Sequence, residues 1–160
     1  MTHQTPNLLP VDTSPPPPFT IIAAPWRDHA DTLYAIRYQV FVVEQNVPVA
    51  LERDEHDPVC DHLLAQDRRG RGIGTGRLLA DGHIGRLAVL APWRGRGVGR
   101  ALMLQLMERA RRRGFGHVEL SAQTHALAFY QSLGFVAEGE VYQEAGLPHR
   151  HMVATLGTSP

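Results

Sequence analysis

The stretch Gly85–Met103, GRLAVLAPWRGRGVGRALM, decides how the rest of the chain is read. It opens inside an apolar strand that stops at Pro92, whose ring has no N–H to give to a ladder. Glycines follow at 95, 97 and 99. Leu102, Met103, Leu106, Met107 and Ala110 then fall on one face of a helix of about four turns, closed by Gly114. Strand, glycine loop and helix are the three parts that let a backbone hold an anion. The strand delivers the chain, the glycines let amides come close, and the helix start aims its free N–H groups and dipole.

A near copy, RGRGIGTGRLL at Arg69–Leu79, lacks the third part. Its residues alternate as a short strand would and run into the turn signal Asp81-Gly82. Gly70, Gly72 and Gly74 are therefore expected to serve a hairpin, and Gly95, Gly97 and Gly99 an anion. The anion is not held by a P-loop, because the chain has no lysine. A dinucleotide fold would want an acid ending the next strand; Glu119 lies inside its strand, and the chain is short for two mononucleotide halves.

Outward from this centre, FTIIAAP reads as a strand and Asp28–Gln45 as a helix. Leu33, Ile36, Val40 and Val43 form its core stripe, with Arg37, Phe41 and Gln45 in a row beside it. VPVALERDEHDPVC is a loop whose acids Glu52, Asp54, Glu55 and Asp57 either keep it soluble or draw in a cationic ligand. DHLLAQ, TGRLLAD and HVELSAQ are strands, THALAFYQSL is a helix, and VYQEAGLPHRHMVATL is a closing hairpin. The order implies an α/β fold with a mostly antiparallel sheet and one parallel crossover. Residues 1–18, ending in SPPPP, are expected to be a disordered arm before a single domain over 19–160.

Composition narrows the function. Sixteen basic and sixteen acidic residues cancel, so net charge gives a nucleic-acid partner no support. The arginines of the central helix, Arg109 and Arg111–Arg113, suit the negative end of its dipole. Cys60 has no second thiol for a disulfide, and its spacing to His56 and His62 fits no zinc pattern, so no metal is expected. No signal peptide or membrane-length apolar run is present, which makes the cytoplasm the default location and a membrane partner unexpected.

Arg94-Gly95-Arg96-Gly97-Val98-Gly99 matches the Arg/Gln-x-x-Gly-x-Gly/Ala signature of the GNAT (GCN5-related) acetyltransferases. AQTHALAFYQSLGF resembles the later strand–helix segment of that family. IRYQVFVVEQNVP, HIGRLAV, AQTH and VYQEAGLPHRHM together resemble its ElaA-type branch. The resemblance implies a twisted mixed sheet of six to seven strands flanked by helices, its fourth and fifth strands splayed into a cofactor cleft. It also implies acetyl-coenzyme A as donor and direct attack by an amine in a ternary complex. The acceptor would be a small-molecule or protein amine, and the protein a monomer or homodimer.

By that resemblance the amides of Gly95–Gly99, helped by Arg94, Arg96 and Arg100, would hold the pyrophosphate. Backbone groups of Leu87, Ala88 and Val89 would pair with pantetheine, as would Gln123, which stands where many members carry Asn. Tyr130 matches the family's general acid. Glu44 either serves as base or is a solvated helix-end carboxylate. Arg37, Phe41 and Gln45 would wall the acceptor site. His125 and His149 either line the cleft or serve as helix-start and strand-face histidines. The competing reading is a catalytically silent acyl-coenzyme A sensor or interaction module.

Overall fold

The computed structural model of the chain describes residues 9–11 and 17–157. The arm expected over 1–18 lies, apart from 9–11, 17 and 18, outside the described residues. A first strand, β1 (Phe19–Ala23), leads through Pro25 into α1 (Trp26–Arg37). The helix does not end there. It continues as a π-helical turn over Tyr38–Glu44. Wider i→i+5 turns advance each side chain less around the axis than an α-helix does. Val40 stays buried, but Val43 swings out to 53% exposure, so the expected core stripe ends one residue short.

The expected acidic loop holds a one-turn helix, α2 (Val49–Glu52), and a 3-10 turn at Asp57–Val59. The antiparallel strands β2 (Asp61–Asp67), β3 (Gly72–Leu78) and β4 (Ile84–Val89) complete a four-stranded sheet in the order β1-β2-β3-β4. Then come α3 (Val98–Arg112), β5 (His117–Gln123), α4 (Leu127–Gln131), β6 (Val136–Glu144) and β7 (Leu147–Thr155). The last three strands form a second antiparallel sheet in the order β5-β7-β6. The final hairpin turns at Ala145-Gly146, both with positive φ, as a two-residue turn between twisted strands requires.

The two sheets meet at one parallel bridge, His83 with Glu119, where the Glu119 N–H donates to Gly82 O at 3.2 Å. Beyond it β4 and β5 share no ladder, and a cleft opens between their C-terminal ends. These are the splayed fourth and fifth strands that the resemblance implied, and the segregated antiparallel sheets make the α/β arrangement α+β. Leu102, Met103 and Leu106 of α3 pack on one face against Leu63, Ile73, Leu120 and Met152. Leu33, Ile36 and Val40 cover the other face at Leu64 and Ala88.

The glycines of the first run serve the β2–β3 hairpin in two ways. Gly70 does sit in the turn, at φ 78°, where Asp67 Oδ1 accepts from the N–H groups of Arg69 and Arg71. Gly72 and Gly74 lie in the strand proper. A Cβ on Gly72 would come within 2.8 Å of Thr32 and 2.9 Å of Ile36. One on Gly74 would lie 3.1 Å from Val98, and one on Gly76 2.8 Å from Leu106. Gly72 and Gly74 thus serve the β2–β3 hairpin from its second strand, and with Gly76 they let α1 and α3 settle onto opposite faces of the sheet.

Candidate active site

At the mouth of the cleft, Gly95 and Gly97 hold φ of 75° and 85°, and Gly97 caps α3 in a left-handed conformation. A side chain is strained there, while glycine is not. The space where a Cβ would stand on either residue is open. Val98 is buried in the core, so its side chain anchors the turn while its amide starts the helix. The first N–H groups of α3 have no partner within the helix and point out of its N-terminus. Arg100 lines the cleft beside them; Arg96 is exposed and lies over the Trp93 ring at 5.1 Å.

Arg94 is already engaged. Its Nε donates to Val89 O at 3.0 Å and its Nη2 meets Glu44 Oε2 at 2.7 Å. Glu44 is therefore tied to the anion loop, and it does not line the cleft. Phe41, from the same π-helical segment, and Gln45, which caps it, do line it.

One strand edge of the cleft is bent. Gly85 pairs with Arg77 and Ala88 with Thr75, so Arg86 and Leu87 together oppose Gly76. Arg86 takes a φ of 49°. Such a bulge breaks the ladder and re-aims backbone groups, here at Leu87 on the cleft wall. The opposite edge ends at Gln123, whose Nε2 donates to Gln45 Oε1 at 2.8 Å and ties β5 to the first helical segment. The space between has a volume of about 1090 Å³.

Tyr130 lines the cleft from the α3 side, edge-on to Phe129 and Phe135. Burial alone pushes its phenol up to about 12. His125, in the 3-10 turn after β5, and His149, on β7, also line the cleft. His149 is buried and donates from Nδ1 to Leu147 O at 2.8 Å.

Arg37 is not an acceptor-site residue. It is fully buried and donates to Asp57 Oδ1 at 2.8 Å, to Asp57 Oδ2 at 3.1 Å, and from Nε to Glu52 Oε1. Arg77 joins the cluster, reaching Asp57 at 2.8 Å and gripping Asp54 with two nitrogens at 2.7 and 2.6 Å. Arg86 adds bonds to Glu52 O and Asp54. Burial alone would raise Asp54 and Asp57, but these guanidiniums hold both carboxyls below the usual range. The acidic run is thus largely a neutralised structural network and not a free anionic surface. Its sequence showed four acids but not the three arginines, from α1, β3 and β4, that close on them.

Asp57, Cys60 and His62 place ligand-type atoms within 4.8 Å of one another. Each is already committed. The Asp57 oxygens accept from Arg37 and Arg77, His62 Nε2 donates to Asp57 O at 2.8 Å, and burial lifts the Cys60 thiol to about 11.

The comparisons with known proteins agree with this geometry. Residues 28–156 match the family model described as acetyltransferase (GNAT) domain. The chain is 36% identical over 127 residues to the uncharacterized N-acetyltransferase YjcF of Bacillus subtilis, covering 77% of this chain and 89% of that one. An acyl-CoA N-acyltransferase from Pseudomonas aeruginosa superposes with a TM-score of 0.75 at 35% identity, covering 86% of this chain and 99% of that one. Escherichia coli ElaA gives a TM-score of 0.76 at 32% identity, with 85% and 99% covered. The chain belongs to the GNAT acetyltransferase family, and it is ElaA-like within it. Among the described residues no helix is long and apolar enough to cross a membrane.

Proposed function

We propose that this chain moves an acetyl group from acetyl-coenzyme A to a primary amine by direct attack in a ternary complex. The observation that carries the reading is the Gly95–Gly99 turn, which opens the free N–H groups of α3 onto the cleft between the splayed strands. The donor supplies a thioester-activated acetyl group. Amides over residues 97–100 hold its pyrophosphate, as helix N-termini hold anions. Backbone N–H groups freed by the bulge at Arg86 and Leu87 polarise the acetyl carbonyl. Gln123 and the strand backbone at Leu87–Val89 orient the pantetheine arm.

Tyr130 gives its proton to the departing thiolate. A phenol at about 12 transfers uphill to a thiolate whose acid titrates near ~8.5. That step costs roughly 5 kcal/mol, which fits beneath the ~16 kcal/mol barrier of a turnover near 10 per second. Glu44, held at Arg94, positions the loop and is not the proton acceptor.

The test is thiol release from acetyl-coenzyme A with a panel of amines, beside calorimetric titration of coenzyme A. Gly97→Asp puts a charge and a side chain at φ 85° where phosphate must approach. It should abolish both binding and release while the fold, by circular dichroism, persists. Release that survives Gly97→Asp would defeat the loop assignment. Donor binding without release to any amine would leave a non-catalytic acyl-coenzyme A module.

A further inference from the structure

We infer that His149 Nε2 is the general base that takes the proton from the acceptor amine, with Glu144 as its relay to solvent. The inference rests on the acetyltransfer reading above and adds the group which that reading lacks.

The assignment comes from the register of β5 on β7. Gln123 pairs directly with His149, so the two side chains stand side by side on one face of the sheet. That face is the one opposite α3: Leu120, Ala122 and Met152, which point the other way, are buried in the α3 core with Tyr130 packed against it. The acid and His149 therefore approach the cleft from opposite sides of β5. Direct attack needs that division, because one proton leaves the incoming nitrogen while another goes to the departing sulfur.

The imidazole is set up to accept. Its Nδ1–H donates to Leu147 O at 2.8 Å, which in the neutral ring leaves the lone pair on Nε2. It stacks on Tyr142, with ring centroids 6.1 Å apart and planes 22° apart, and its side chain is only 8% exposed. The ring is thus fixed in orientation and shielded from water. Glu144 Oε2 stands 3.5 Å from Nε2 on a side chain 56% exposed. It also accepts from Ser121 Oγ at 3.0 Å, whose oxygen is itself bonded to Tyr142 Oη. Glu144 and Tyr142 on β6 are the titratable groups facing the ring from that strand. On β5, Glu119 is engaged by His83 and by His151, and does not contact His149.

The step balances simply. An alkylammonium loses H⁺ to His149 Nε2, which passes it through Glu144 to water. The neutral amine attacks the acetyl carbonyl, the C–S bond breaks and Tyr130 protonates the thiolate. The second N–H proton of the adduct goes to the freed Nε2 and on to water, and Tyr130 regains a proton from water. The need is large: an amine near pKa ~10.4 is neutral in only about one molecule in 2,500 at pH 7.

His149→Gln keeps an amide able to bond Leu147 O but cannot take a proton. With n-butylamine, putrescine and Nα-acetyl-lysine methylamide as probes, its kcat/KM should fall about 100-fold at pH 7. The deficit should shrink below about 5-fold at pH 10, where the amine itself is substantially neutral. A deficit that does not change with pH means a merely structural role and overturns the assignment. Glu144→Gln, at an exposed position, cannot carry the proton onward, so it should lower kcat/KM at pH 7 several-fold and regain part of it with added small buffer bases. A Glu144→Gln rate equal to wild type overturns the relay. Ring ¹⁵N shifts of the wild type read the tautomer without any acceptor, and an Nε2–H form at pH 9 would also overturn the proposal. Wild-type protein inactive on every probe defeats the acetyltransfer reading itself; an active wild type with a pH-independent His149→Gln deficit defeats only the base.

Discussion

Arg94 bridges the anion loop and the first helical segment, meeting Glu44 at 2.7 Å while capping Val89 O at 3.0 Å. The pair makes Glu44 a partner of the loop and so separates it from proton transfer. Glu44→Gln should raise the KM for acetyl-coenzyme A by about 1.5–5-fold, the scale of a part-exposed ion pair, and leave kcat within about 2-fold. Steady-state kinetics with the donor varied reads both constants. A 100-fold loss of kcat at unchanged KM would return Glu44 to the role of base.

Tyr130→Phe keeps the edge-on ring contacts with Phe129 and Phe135 and removes only the hydroxyl. Turnover should drop about 10²–10⁴-fold, as for loss of a general acid, while coenzyme A affinity by calorimetry stays within about 3-fold. Because burial pushes the phenol up to about 12, the hydroxyl keeps its proton well into the alkaline range. Wild-type kcat should therefore show no alkaline loss from this group below about pH 11. Full activity in the phenylalanine variant would remove Tyr130 from the chemistry.

Gly72→Ala tests the packing role of the first glycine run. Its new methyl would stand 2.8 and 2.9 Å from Thr32 and Ile36 of α1, with Leu64 at 3.3 Å beneath. Overpacking of this kind costs about 1–3 kcal/mol, and thermal melting should register it as a fall of several degrees. Gly70→Ala has open space but a φ of 78°, so its cost is local strain of about 1–2 kcal/mol. A Gly72→Ala protein as stable as wild type would mean that α1 is not seated on that glycine.

The fold was legible because it depends on local signals. Pro92, three spaced glycines and a helical apolar stripe announce strand, loop and helix within about twenty residues, and the same residues form the turn proposed to hold the anion. The acceptor side depends on long-range register. Glu144 and Ser121 come together only through the Ala145-Gly146 turn and the β5–β7 pairing, which no periodicity reports. Arg37 misled for a related reason. A row at i, i+4, i+8 assumes α-helical turns, whereas a π-helical turn begins at Tyr38. Phe41 and Gln45 reach the cleft while Arg37 turns into the interior. A buried guanidinium also needs carboxylates from distant segments, and the loop acids read as solvated until those segments closed around it.

The buried network gives the sharpest test of stability. Asp57, with a side chain 2% exposed, neutralises both Arg37 and Arg77, and removing one partner of such a set leaves uncompensated charge. Asp57→Asn should cost about 3–5 kcal/mol at pH 7, read by urea unfolding. The pH dependence follows from the lowered carboxyls. In the folded chain Asp57 binds protons less readily than in the unfolded chain, where an aspartate titrates near ~3.9. Its stabilisation is therefore complete above that value and drains away as pH falls below it toward the lower folded value. Asparagine resembles the protonated acid at every pH. The gap between wild type and Asp57→Asn should be widest at pH 6–7 and close progressively as pH drops below about 4. Asp54, whose carboxyl Arg77 holds lower still, keeps part of the acid sensitivity in the variant. A gap that stays constant across this range would show that the Asp57 charge does not hold the cluster together.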